Sequence, residues 1–156
     1  GAAADGGGIA RIEMLYRTNL LALTGRGRSP AYPPHKVLLY DDHLQRPVGE
    51  LSFRQRVLAT RLRRDRIVVV LRDRVYVYNF SDLALLDKVH TGDNPLGLIG
   101  ISTDNGGVGG RTTAASSVER AADAFGAHSR DNGLVLACPG TARGQVRVEL
   151  YGLRRT

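Results

Sequence analysis

The most regular part of the chain is the stretch from residue 57 to residue 80, where apolar and polar positions follow the two-residue period of β-strands. Residues 67–71 are an uninterrupted apolar run, rich in β-branched side chains and too short for a helix, which predicts an interior strand. In residues 74–80, valines occupy one face and aromatic side chains the other. The pattern therefore predicts three strands of one antiparallel sheet that is covered on both sides, with the charged residues 63–65 in an exposed turn.

A buried strand followed by an alternating strand occurs three times in the chain. The pairs are residues 20–23 with 36–40, 67–71 with 74–78, and 134–137 with 145–150. Val37 and Val75, which occupy corresponding positions, are 38 residues apart, and Val146 follows 71 residues later. Without a Gly/Ser/Ala-rich insertion the second spacing falls to about 40, the period of four-stranded propeller blades. The fold class is therefore predicted to be all-β, built from β-propeller blades.

The same repeat divides the chain into units. About two complete four-stranded blades and part of a third fit into 156 residues, whereas a closed propeller needs at least four blades and more often has seven. We therefore expect a piece of a larger propeller. The predicted units are a flexible tail at residues 1–8 and a partial β-propeller at 9–156, made of a blade at 9–54, a blade at 57–90 and an incomplete blade at 95–156 with a flexible insertion at about 103–132.

The chain is basic, with 22 basic against 15 acidic residues and a formal net charge of +7. All the basic residues except Lys36 and Lys88 are arginines, and many of them stand beside Asp or Glu, so solvated turns with local ion pairs are the simpler interpretation. The alternative is a basic WD-repeat-type scaffold that binds RNA or other proteins, supported by the two Arg-Gly steps in residues 25–28. Two steps are a weak signal, and RNA is disfavoured as a partner.

Cysteine usage and hydropathy indicate the compartment. The single cysteine, Cys138, can form no internal disulfide, which fits a reducing environment. Residues 1–8 lack the basic and apolar regions of a signal peptide, and no apolar run approaches the length of a membrane span. We expect a cytoplasmic protein that is at most peripherally associated with membranes.

No arrangement of residues in the sequence predicts catalysis or metal binding. His35, His43, His90 and His128 lie in separate segments without the spacing of metal ligands. Asp41 and Asp42 are adjacent at a strand end, where solvation is the simpler interpretation. The glycine-rich residues 106–110 lack the Lys-Ser/Thr of a phosphate-binding loop. The sequence therefore predicts no enzyme, no cofactor and no metal site, and an enzymatic propeller is the least favoured hypothesis.

Several long motifs, in order, resemble one family. They are residues 13–23, residues 36–42, residues 62–71, Asn94-Pro95 with Gly97-Leu98, and Pro139-Gly140 with residues 144–146. This series resembles the PROPPINs, seven-bladed WD-repeat-like propellers of autophagy, with plant and algal members most similar. The resemblance covers the chain outside its N-terminal tail and the insertion, and it implies an N-terminal-half fragment.

The resemblance implies a function for the complete propeller. PROPPINs are peripheral membrane proteins that recognise phosphatidylinositol 3-phosphate and the 3,5-bisphosphate and recruit a lipid-transfer partner to the phagophore. Endosomal and vacuolar membranes are further implied locations. The lipid sites of the family flank a Phe-Arg-Arg-Gly motif in later blades, and this motif is absent here because residues 62–65 and 153–156 both lack its glycine. We therefore assign no lipid-binding residue to this segment.

The part of the family that the chain matches is the side that docks protein partners. By this match Arg64 stands at a partner-contacting position, and Ser81 stands where some members carry a second arginine. The candidate docking residues are Arg63, Arg64, Asp65 and Ser81. The implied partners are lipid-transfer and autophagy scaffold proteins, with the phosphoinositide membrane reached only through later blades.

Overall fold

The computed structural model describes residues 8–27, 32–103 and 133–152. All the regular elements within these ranges are β-strands. Their bounds are β1 Ile9–Met14, β2 Leu20–Gly25, β3 Lys36–Asp41, β4 Arg46–Ser52, β5 Ala59–Leu62, β6 Arg66–Val70, β7 Arg74–Asn79, β8 Leu85–His90, β9 Gly100–Ile101, β10 Leu134–Pro139 and β11 Val146–Tyr151.

The strands form three antiparallel sheets in chain order. The first sheet has the order β1-β2-β3-β4 and the second has the order β5-β6-β7-β8, so each is a four-stranded meander. The third has the order β11-β10-β9. This is the predicted all-β architecture of two complete blades and part of a third, and the three strands predicted within residues 57–80 do belong to one antiparallel sheet.

Strand β6 lies at the centre of the structure. Ile67 and Val69 belong to a buried cluster between the first and second sheets, whereas Val68 and Val70 belong to a second buried cluster between the second and third sheets. Each of these four side chains is 0% exposed. This burial confirms the prediction of a sheet covered on both sides. Each fully buried Val or Ile side chain stabilises the fold by about 1.5–3 kcal/mol relative to an exposed one.

Strand β7 repeats this division between two faces. Val75 and Val77 pack in the cluster next to the third sheet, and Tyr76 and Tyr78 pack at the margin of the cluster next to the first sheet. The two faces therefore meet different neighbours, as the valine and aromatic positions predicted.

The start of the third sheet contains little regular structure. The incomplete blade was predicted to begin at residue 95, but its first strand is only Gly100–Ile101. The side chain of Asn94 donates to the carbonyl oxygen of Leu98 at 3.0 Å and accepts from its amide at 2.8 Å. Gly97 within this turn has φ +65°, a conformation that favours glycine. The side-chain hydrogen bonds of Asn94 thus replace a sheet ladder.

Some expectations concern residues outside the described ranges. They are the tail at residues 1–7, the glycine-rich residues 106–110, nearly all of the insertion predicted at 103–132, and the arginines at 154 and 155.

The outward face of the third sheet is apolar and exposed. On β11, Val146 is 72% exposed, Val148 57% and Leu150 73%. These residues pair with Pro139, Ala137 and Val135 of β10, which share their face. An apolar sheet face without a covering layer promotes association.

We expect Val148→Glu to reduce self-association of the isolated chain, because it places a carboxylate in the middle of this exposed apolar face. Sedimentation velocity across a concentration series measures the effect. Thr141→Glu, in the exposed β10–β11 turn, makes the same change in net charge and should leave association unchanged. Equal association of the two variants and the unaltered chain would show that the face is not used.

Candidate protein-docking site

The four candidate docking residues lie at one end of the second sheet. The β5–β6 turn carries residues 63–65, and the β7–β8 turn carries Ser81. In an antiparallel meander these two turns emerge at the same end. They are also bonded directly, because the amide of Phe80 donates to the carbonyl oxygen of Asp65 at 3.0 Å. The structure therefore brings the four residues into one region.

The expectation that the charged turn is fully exposed is wrong for Arg63. The residue is only 1% exposed. Its Nη1 atom donates to the Ser102 hydroxyl and to the carbonyl oxygen of Gly133, both at 3.1 Å, and its Nε atom donates to Asp65 Oδ1 at 2.9 Å. A buried charge is tolerated when it is paired and hydrogen bonded. Arg63 thus joins the second sheet to the third and is inaccessible to a partner.

Asp65 is held between two guanidinium groups. In addition to Arg63, Arg66 approaches it, with Arg66 Nη1 at 3.5 Å from Asp65 Oδ2. Arg66 is itself 9% exposed and reaches the third sheet, where its Nη2 atom donates to the carbonyl oxygen of Gly152 at 3.5 Å. The carboxylate of Asp65 is therefore mainly the internal counter-ion of two buried arginines.

Arg64 points in the other direction. It is exposed, and its guanidinium carbon lies 5.7 Å from the centroid of the Tyr16 ring, within the range of a cation–π contact. Tyr16 belongs to the β1–β2 turn of the first sheet and has φ +48°. Arg64 therefore lies on the surface beside the β1–β2 turn of the first sheet, between the buried Arg63 and the half-buried Asp65.

Ser81 is exposed and belongs to a small polar network. Its hydroxyl oxygen accepts from the Asn79 side-chain amide at 2.8 Å, and the same amide donates to Asp82 at 2.9 Å. The Asn79 oxygen in turn accepts from Arg66 at 3.4 Å. Ser81 is thereby linked through Asn79 to the buried Arg66, and these hydrogen bonds hold the β7–β8 turn in place.

Of the four candidates, two are accessible and two are internal. Arg64 and Ser81 lie on the surface, whereas Arg63 is buried and Asp65 is largely enclosed. Sequence reasoning missed the supporting residues Arg66 and Asn79. Asn79 could have been found, because an Asn at a strand end two residues before Ser81-Asp82 is a turn signature. The burial of Arg66 has no comparable signal.

Other polar groups considered from the sequence lie elsewhere. Asp41 ends β3 and accepts from the Leu44 amide, the Asn19 side chain and the His43 amide, which together lower the pKa of its carboxyl. Cys138 is buried in β10, and burial raises the pKa of its thiol. Within residues 8–27, 32–103 and 133–152, no group of three or more His, Cys, Asp or Glu could hold a metal ion, and no helix is long and apolar enough to cross a membrane.

Arg63→Met should destabilise the fold by about 2–3 kcal/mol, because it takes the guanidinium donor from the Gly133 carbonyl oxygen and removes one of the two arginines that neutralise Asp65. Urea unfolding followed by circular dichroism measures the loss. Arg64→Met removes an equally charged neighbour on the surface and should cost less than about 1 kcal/mol. If the two substitutions cost the same, Arg63 does not join the sheets as described.

Comparison with known proteins identifies similar chains. No family model matches. Autophagy-related protein 18e of Arabidopsis thaliana is 35% identical over 142 residues, which are 90% of this chain and 31% of that protein. Autophagy-related protein 18 of Saccharomyces cerevisiae and of Candida glabrata are each 35% identical over 98 residues, 63% of this chain. The chain spans about a third or less of the length of these relatives. The predicted resemblance to PROPPINs, with a plant member among the relatives, is confirmed.

Solved structures show the same fold. Hsv2 of Kluyveromyces lactis, with a loop replaced by a linker, has a TM-score of 0.57 and 17% identity, covering 90% of this chain and 34% of that one. An Atg21 solved with the coiled coil of an Atg16 has a TM-score of 0.54 and 19% identity, covering 87% and 40%. At these identities the likeness establishes the propeller fold alone.

Proposed function

We propose that this chain, a member of the PROPPIN family of autophagy β-propellers, forms the protein-docking side of a non-enzymatic phosphoinositide effector. The complete propeller would recognise phosphatidylinositol 3-phosphate and the 3,5-bisphosphate through later blades. It would recruit a lipid-transfer partner and autophagy scaffold proteins to the phagophore, working from the cytoplasm at phagophore, endosomal or vacuolar membranes.

The observation that carries the proposal is the placement of Arg64. Its neighbours Arg63 and Asp65 are fixed in the joint between the second and third sheets, so the turn presents Arg64 outward in one position. A guanidinium offers a planar fork that matches a carboxylate of a partner. An exposed charge on a rigid turn loses less side-chain freedom on binding than one on a mobile loop. The geometry therefore suits a contact with an acidic side chain.

The class of partner is supported by the relatives. The neighbouring structure of Atg21 contains the coiled coil of an Atg16, so a propeller of this fold does engage an autophagy scaffold protein. In this chain Ser81 supplies a hydroxyl where some family members would supply a second charge. We therefore propose a docking contact built on one arginine.

The ion pairs weigh against the alternative of an RNA-binding scaffold. Several arginines bond carboxylates within the chain: Arg63 to Asp65, Arg72 to Asp93, Arg74 to Asp73, and Arg147 to Glu149. Each such pair reduces the charge available to a phosphate backbone. The count of 22 basic residues therefore overstates how many cations are open to a phosphate backbone.

Arg64→Glu should weaken binding to the coiled-coil segment of an Atg16-type scaffold from the same organism by about tenfold or more, because reversal converts an attractive contact into a repulsive one. Isothermal titration calorimetry measures the change. Ser81→Arg should strengthen binding by adding a second guanidinium.

Arg143→Glu is the matched control. Arg143 is an exposed arginine in the β10–β11 turn, so its reversal makes the same change in net charge away from the site. If Arg143→Glu and Arg64→Glu weakened binding equally, the loss would come from the change in net charge alone, which would contradict a docking role for Arg64.

A further inference from the structure

A concave site lies between the first and second sheets, at the end of the second sheet opposite Arg64. It is a half-open pocket of about 400 Å³. The residues that line it come from the end of β4, the connection that follows it, the β6–β7 turn, and strands β7 and β8. They are Ser52, Phe53, Arg54, Gln55, Leu71, Arg74, Tyr76, Tyr78 and Lys88.

The floor of this pocket is aromatic. The ring centroids of Phe53 and Tyr76 are 5.3 Å apart, and those of Tyr76 and Tyr78 are 6.2 Å apart in a stacked arrangement. All three rings pack at the margin of the buried cluster between the two sheets. The floor is therefore anchored in the core, and it offers ring faces and phenol hydroxyls to a ligand.

Three cationic side chains surround the floor, and one of them is neutralised. Arg74 donates from Nε and Nη2 to the two carboxylate oxygens of Asp73 at 2.8 and 2.6 Å. This contact lowers the pKa of Asp73 to about 2, so the carboxylate stays ionised and holds the guanidinium in place. Arg74 is thus positioned at the pocket with its charge offset.

The other nearby carboxylate is also engaged. Glu50, which accepts from the Ser52 hydroxyl, forms an ion pair with Lys36 at 2.6 Å. Lys88 instead places its ammonium 5.7 Å from the Tyr76 ring centroid. The ion pairs formed within the described ranges leave both Lys88 and Arg54 without a carboxylate. The pocket therefore carries an excess of about two positive charges.

We propose that this pocket binds the phosphate group of a phosphate monoester. The site is rich in donors, from Arg54, Lys88 and the phenols of Tyr76 and Tyr78, while its nearby carboxylates are committed to other cations. A monoester carries nearly two negative charges at pH 7 and three acceptor oxygens, which complements this excess. The aromatic floor accommodates the group that bears the phosphate.

Phenyl phosphate is a suitable probe, because its ring can stack on the floor while its phosphate meets the cations. Titration into the isotopically labelled chain should shift the backbone amide signals of Phe53, Arg54, Tyr76 and Lys88 saturably. Inorganic phosphate should bind the same residues more weakly, because it lacks the ring. Raising the salt concentration should weaken both, as expected for exposed charges.

Lys88→Glu should weaken the binding of phenyl phosphate by about tenfold or more, and Arg54→Glu should act in the same direction. Arg143→Glu is the matched control and should have no effect. Arg64→Glu should also have no effect, so failure of this proposal is distinguishable from failure of the docking role. Retained dispersion of the amide spectrum confirms that each variant is folded.

Two arms identify the source of the phosphate. If the soluble probe binds and vesicles containing phosphatidylinositol 3-phosphate are not retained, the ligand is a soluble ester. Retention of those vesicles by the unaltered chain but not by Lys88→Glu would support the same site and assign its ligand to a lipid headgroup. The proposal is overturned if the pocket amides do not shift, or if Lys88→Glu and Arg54→Glu bind phenyl phosphate as tightly as the unaltered chain.

Discussion

The burial of β6 on both faces is the constraint on which the rest of the structure depends. A strand whose successive side chains are all fully buried needs a layer on each side, and the first and third sheets supply these layers. The alternation of β7 then follows, because its valines face the third sheet and its tyrosines face the first. The pocket floor is a consequence, since the tyrosine face of β7 meets Phe53 where the first sheet ends.

The same stacking separates the roles of two adjacent arginines. The β5–β6 turn packs against the third sheet, so Arg63 can donate hydrogen bonds to Ser102 and Gly133 and stabilise the interface between the two sheets. Arg64 instead lies on the surface, with its guanidinium over the Tyr16 ring. The docking role proposed for Arg64 thus depends on a fold that Arg63 maintains, and a substitution at either position should lower the proposed partner binding for different physical reasons. Stability and affinity must therefore be measured together.

The sequence predicts the sheets better than it predicts the site. Strict alternation and a β-branched run are local signals, so the strands of the second sheet and the faces of β7 could be predicted. The burial of Arg63 could not, because its acceptors lie 39 and 70 residues away in the chain and include a backbone carbonyl oxygen. The pocket was missed for the same reason, since the residues that line it range from Ser52 to Lys88. Strand β9 has only two residues, since the Asn94 side chain satisfies the backbone groups of Leu98 that a ladder would otherwise engage.

We infer that this segment carries the docking side of the propeller and that the phosphoinositide chemistry lies in blades beyond it. Liposome flotation with and without phosphatidylinositol 3-phosphate tests this most directly, using this chain beside the same chain extended to its full reading frame. Only the extended protein should float, and only with the phosphoinositide present. Lipid-specific flotation of the 156-residue chain alone would contradict it, because the headgroup would then be bound by residues of this segment.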